Sequence, residues 1–253
     1  MKAQKCITVA AMLCSLLCTT AAFAQKQSLE SVLPAAVQKN LPDMQANNSF
    51  LLNKVLAVNP GFKNTKQLTV HVNTALDELK KQKPAFTKIK LPEITPTSYD
   101  QLIATKTKQL GAQSGVVKIL TAFKEGLAKA DDNGDVVDVM VTLIKSPAFQ
   151  TLSAADKDAF YYAFAAAKNA ADYGTKNNLF AVVDYPAEKM GVGGYAATGN
   201  GDDDDDEYYM ARGAACHWLC TMAGCLAGAY VGAEGGAVAG AAIGFGIGAN
   251  ACY

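Results

Sequence analysis

The sequence predicts an all-α protein: a helical bundle domain, then a flexible acidic linker, then a Gly/Cys-rich helical hairpin. Three observations carry this. Between Ser28 and Tyr185 apolar residues recur at helical spacing, with no strand-turn-strand pair and no long internal repeat. Gly191-Val192-Gly193-Gly194 to Gly201, followed by Asp202 to Asp206 and Glu207, has the composition of a solvated spacer. Beyond it Gly224, Gly228, Gly232, Gly236, Gly240, Gly244 and Gly248 recur every four residues, and the same register lands on Cys216, Cys220 and Cys252. A length of 253 residues allows one or two domains and an ample core.

The first 24 residues read as a signal peptide. Lys2 and Lys5 form a basic start, Cys6 to Cys18 lie in an apolar run, and Ala22-Phe23-Ala24 is a small-residue cleavage site before Gln25. Cleavage between Ala24 and Gln25 makes the mature protein exported: secreted, periplasmic or envelope-associated. Residues 25–187 then form the helical domain, 188–211 the linker and 212–253 the apolar tail.

Within the domain, Val32, Leu33, Ala36 and Val37 mark a short helix over about residues 31–40, which Asn40-Leu41-Pro42-Asp43 should break. A second helix runs from about Asn48 to the stop at Asn59-Pro60-Gly61. Thr65 caps a third, with Leu68, Val72, Ala75, Leu76 and Leu79 on one face and Lys80, Lys81 and Lys83 at the negative end of its dipole. Pro84 to Thr97, with three prolines, reads as a connection. Helices follow over about 98–110 and 113–130, the latter with the stripe Val116, Leu120, Phe123 and Leu127. Val136 to Ile144 is apolar nearly all round and reads as a buried central helix, with a strand as the alternative its valines leave open. Ser153-Ala154-Ala155-Asp156 is a capping box before a last helix that buries Phe160, Phe164, Ala167 and Ala171.

The tail carries the functional signal. Residues four apart share one helix face, and a bare glycine face lets a second backbone approach closely. Glycine costs about 1 kcal/mol against alanine in a helix, so seven of them need close packing or a membrane to offset the loss. Glu234 is the only charge from Cys216 onward and lies midway between Cys216 and Cys252. Folding at Glu234-Gly235-Gly236 gives two arms of about 18 residues, each about 27 Å long and close to a bilayer's hydrocarbon thickness. One unbroken helix is the competing geometry. Trp218 is placed as an interfacial anchor, with Tyr253 at the same end, and ordinary packing against the helical domain is the alternative. In an oxidising compartment Cys216, Cys220, Cys225 and Cys252 suggest two disulfides, with buried thiols behaving as small apolar residues as the alternative. The hairpin favours Cys252 with Cys216 or Cys220, leaving the other for Cys225.

Several function classes are disfavoured. The formal net charge is zero, and every basic side chain except Arg212 and His217 lies at or before Lys189, so no clustered basic face suggests nucleic-acid binding. Asp131, Asn133 and Asp135 resemble the start of a calcium loop, but Val136 and Thr142 stand where glycine and glutamate are required, so a helix N-cap cluster is the better account. His71 has no nucleophile motif beside it, and Gly191-Val192-Gly193-Gly194 lacks the strand-to-helix context of a dinucleotide loop. No catalytic residue, metal or cofactor is expected. The expected partners are a lipid membrane, through the tail, and a second copy, through the glycine ladder.

Signal peptide, helical domain, flexible linker and cysteine- and glycine-rich apolar tail together make a layout that resembles halocin-type bacteriocin precursors. The glycine register is similar to the glycine zippers of membrane-active peptides. The resemblance implies that the tail is an antimicrobial peptide and that the domain before it confers immunity. An envelope protein using the tail as an anchor or oligomerisation hairpin is the alternative expectation.

Overall fold

Proline sets the first boundary of the fold, because the residue before it is driven out of the helical region. Leu33 is extended (φ −77°, ψ 147°) ahead of Pro34, and this separates α1 (Leu29–Val32) from α2 (Ala35–Ala57). The computed structural model describes residues 27–57, 65–83, 86, 89, 91, 94, 97–130, 132–177 and 205–251. Among these, the side chains of 55–57, 65–69, 82, 205–215 and 249–251 are left undescribed. The expected cleavage site at Ala24 and Gln25, together with Cys252 and Tyr253, lies outside the described residues.

The described residues form helices and no strand. After α2 come α3 (Thr65–Gln82), α4 (Ser98–Leu110), α5 (Gly115–Leu127), α6 (Asn133–Lys145), α7 (Pro147–Gln150), α8 (Ala154–Lys176) and α9 (Asp205–Ala251). Four helix starts, at α5, α6, α7 and α8, carry side-chain caps. Ser114 Oγ accepts from the Val117 amide at 3.3 Å, and Asp132 Oδ1 from the Asp135 amide at 2.8 Å. Ser153 Oγ accepts from the Asp156 amide at 3.1 Å while its hydroxyl donates back to Asp156 Oδ2 at 2.6 Å. Asp132 thus serves as an N-cap in the stretch that resembled a calcium loop.

Three expectations are corrected. The break at Pro42 does not occur: α2 runs through it. An internal proline costs about 3 kcal/mol, but Val37, Met44, Leu51 and Leu52 along the same helix are all buried, and that burial outweighs the lost bond. Residues 136–144 are helical, and Val136, Met140, Val141, Leu143 and Ile144 are buried as expected, but the helix is not buried all round. α6 packs on α1, α5, α7 and α8 and leaves Thr142 and Lys145 exposed. Third, residues 205–211, expected in the linker, are already helical within α9.

One hydrophobic core joins the bundle to the tail. Its centre is α8 against α9, the most extensive helix contact among the described elements, with α2 and α3 closing over the same face. α8 presents Ala163, Ala166, Ala167, Ala170 and Ala171, all buried, so its backbone can come near the arms of α9. Phe123, Phe160 and Phe164 stack beside it, with ring centroids 5.8–5.9 Å apart. Asn48 Nδ2 donates to the Ala166 carbonyl at 3.0 Å, tying α2 to α8 inside the core.

Candidate functional site

α9 is two arms rather than one helix. Gly232 (φ −150°, ψ 30°) and Ala233 (φ 46°, ψ −123°) leave helical geometry, and the chain reverses there. Ala233 takes the left-handed sign of φ that a side chain disfavours. The glycine ladder explains why the chain tolerates it. A Cβ built on Gly224 would overlap the carbonyl oxygen of Gly240, and one on Gly228 would overlap that of Gly236; each pair is equidistant from Gly232. Gly244 meets the Cys220 carbonyl in the same way. The arms therefore touch backbone to backbone, with no room for a single methyl group.

The turn lies two residues before the expected Glu234-Gly235-Gly236. Gly236 is needed inside the second arm, opposite Gly228, so the break must precede it. Two ladder positions do not make the expected arm-to-arm glycine contact. Gly232 sits in the break with the Ile89 side chain against it, and Gly248 faces His217. Because Gly224, Gly228, Gly236, Gly240 and Gly244 are all engaged within the chain, self-association through them requires the hairpin to open.

The outer faces of the arms are covered by the bundle. Leu226, Val238, Ile243, Phe245 and Ile247 are at most 1% exposed. The segment Cys216–Gly248 is long and apolar enough to cross a membrane, with mean hydropathy 1.3, yet its most apolar stretch is largely buried within the chain. Buried core helices of soluble proteins meet the same criterion.

Trp218, expected as an interfacial anchor, is buried in this structure. Its Nε1 donates to Asn133 Oδ1 at 3.0 Å, so both its ring and its polar handle are satisfied inside the protein. It lines a small cavity with Ala167, Ala171, His217, Thr221 and Phe245. The His217 ring lies edge-on to Phe245 at 4.5 Å. Burial lowers the His217 pKa from 6.5 to about 4, opposed in part by a backbone hydrogen bond with Phe245.

The two-disulfide expectation is overturned. Cys220 and Cys225 are buried thiols that form no disulfide. Five residues apart on one arm, they point about 140° from each other around the axis and cannot reach. Burial pushes the Cys220 thiol up to about 12 and raises Cys225 as well, so both behave as small apolar groups. Cys216 is disulfide-bonded to a partner outside the described residues, and no two described cysteines are bonded to each other.

The sequence reading missed what holds the hairpin's tip. Phe86 and Ile89, in the proline-rich connection, are buried with Leu91 and Ile94. A Cβ on Gly232 would lie 2.7 Å from Ile89 Cγ1, and one on Gly235 would lie 2.9 Å from Ile89 Cδ1. The Tyr230 hydroxyl donates to Asp156 Oδ1 at 3.1 Å, and Lys106 Nζ stands 4.3 Å from the centre of the Tyr230 ring. Glu234 is half-buried at the turn; burial raises its pKa, Asp43 adds to the rise and Lys83 opposes it. The spacing of Phe86, Ile89, Leu91 and Ile94 was the available signal, since a solvated connection has no need of four large apolar residues. His71, read as structural, has its Nε2 3.0 Å from the Lys54 carbonyl at the end of α2.

No protein-family model, curated protein or solved structure matches this chain. Its class is therefore defined by the architecture alone: an all-α bundle wrapped around its own C-terminal glycine-laddered hairpin.

Proposed function

We propose that this is an exported two-part precursor whose C-terminal glycine-zipper hairpin is membrane-active, in the manner of a bacteriocin, and whose helical domain shields or neutralises it. The supporting observation is the contrast within residues 216–248: an apolar segment of bilayer-compatible arms, closed on itself by backbone contact and covered by α8, α2 and α3. A hairpin whose glycines are already engaged can leave its cover as a preformed unit. Its exposed face would then be the Leu, Val, Ile and Phe side chains now buried in the bundle, which suit lipid. The partner is a lipid membrane, and no nucleic acid or cofactor takes part. Export proceeds through a signal peptide cut between Ala24 and Gln25.

Dye release from anionic lipid vesicles tests this. Synthetic peptide 216–253, with Cys220 and Cys225 kept as thiols, releases dye at micromolar concentration, while the intact chain 25–253 does not. Absence of leakage by the peptide at that concentration overturns the membrane-active reading. Recovery of the uncut chain from the producing cell's membranes would instead make the tail an anchor or oligomerisation hairpin of an envelope protein.

A further inference from the structure

The hairpin's two ends are held differently. At its base the first arm is joined covalently to the preceding chain, and Trp218 is bonded to Asn133 in a buried setting. At its tip there is no covalent tether, so residues 230–235 stay in place only through contacts with the bundle. Those contacts come from three separate elements. Asp156, in the first turn of α8, accepts from the Tyr230 hydroxyl at 3.1 Å. Lys106 of α4 sits 4.3 Å from the centre of the Tyr230 ring. Ile89 and Phe86, from the connection before α4, close over Gly232 and Gly235.

The tip is also the part of the hairpin that solvent reaches. Tyr230 is 40% exposed and Val231 48%, whereas the arms behind them are buried. Along the arms the contacts with the bundle are largely apolar and carry little direction. A phenol donating to a carboxylate is directional and charge-assisted, and it fixes one registration of the hairpin against α8. Asp156 is itself held by the Ser153 capping box, so the acceptor is positioned before the hairpin docks.

We propose that the Tyr230–Asp156 bond, with Lys106 on the ring and Ile89 over the turn, is a latch that keeps the hairpin docked and whose opening starts its release tip-first. This rests on the shielding reading given above and names the contact that regulates it.

Hydrogen exchange on the full chain reads the latch without any membrane. Tyr230→Phe keeps the ring under Lys106 and removes only the bond to Asp156. Amides of residues 224–240 then exchange about tenfold faster while those of α5 and α6 keep their rates. Lys106→Met gives a smaller rise of about threefold in the same amides. Ile89→Ala accelerates the same segment before any other. Met140→Ala, in α6 and away from the tip, is the reference for global loosening and raises exchange throughout the bundle. Unchanged rates in residues 224–240 with Tyr230→Phe, or a rise spread equally over α5 and α6, overturns the latch. The two readings fail separately: a Tyr230→Phe chain that opens at the tip but releases no vesicle dye supports the latch and counts against membrane activity.

Discussion

α5 and the arms of α9 are both helices with a buried face, but the faces are built in opposite ways. α5 buries Val116, Leu120, Phe123 and Leu127, and its contact is made of side-chain volume. The arms bury Gly224, Gly228, Gly236 and Gly240, and their contact is made by the absence of side chains. α5 is therefore sensitive to truncation and the arms to enlargement. The difference also bears on function. A helix built like α5 depends on the neighbours that fill its grooves, whereas two glycine-faced arms complete each other and leave their outer surfaces to whatever surrounds them. The bundle provides those surroundings in this structure, and a membrane is the alternative we propose.

Truncating the α5 side should cost most: Phe123→Ala removes a ring packed between Tyr99 and Phe164 and should lower stability by about 3–5 kcal/mol in denaturant unfolding. A loss under about 1 kcal/mol would mean that α5 is not packed through side-chain volume.

The next effect belongs to the arms. His217 has its pKa lowered from 6.5 to about 4 by burial. The unfolded chain therefore takes up a proton at higher pH than the folded chain does. Stability from this group is complete above about pH 6.5, falls as the pH decreases, and is lost by about pH 4, a total of about 3 kcal/mol. His217→Leu should remove that component, so that wild type and variant differ in slope between pH 6.5 and 4. Parallel curves would show that the imidazole is not buried between the arms. A smaller effect is expected at a helix end shared by both regions. Ser153→Ala deletes the cap of α8 and frees Asp156, and should cost about 1 kcal/mol, read as a modest drop in Tm.

Much of this architecture was legible in the sequence because amphipathic helices advertise their faces. The stripe in α5, the capping box at Ser153, and the buried Phe160 and Phe164 all follow from spacing and cap chemistry. The glycine ladder likewise announced a close backbone contact, and the symmetry of its register announced a reversal near Glu234. What periodicity cannot supply is a direction for a segment that is apolar on every side. Residues 216–248 satisfy a membrane and a protein core equally well, so Trp218 was placed at an interface when its Nε1 is bonded to Asn133. Pro42 was read as a breaker because local propensity gives no weight to Met44 and Leu51 buried beyond it. The latch at Tyr230 depends on residues 74 positions apart and has no local signature.

The backbone-to-backbone contact of the two arms along the glycine ladder is open to one decisive substitution. In thermal and denaturant unfolding of Gly228→Ala, touching and separated arms give effects of opposite sign. Alanine at a helical position that nothing opposes stabilises by about 1 kcal/mol. Here a Cβ at residue 228 would overlap the Gly236 carbonyl, so we expect a net loss of about 2 kcal/mol after that gain is subtracted. A lowered midpoint agrees with the touching arms, and an unchanged or raised midpoint contradicts them.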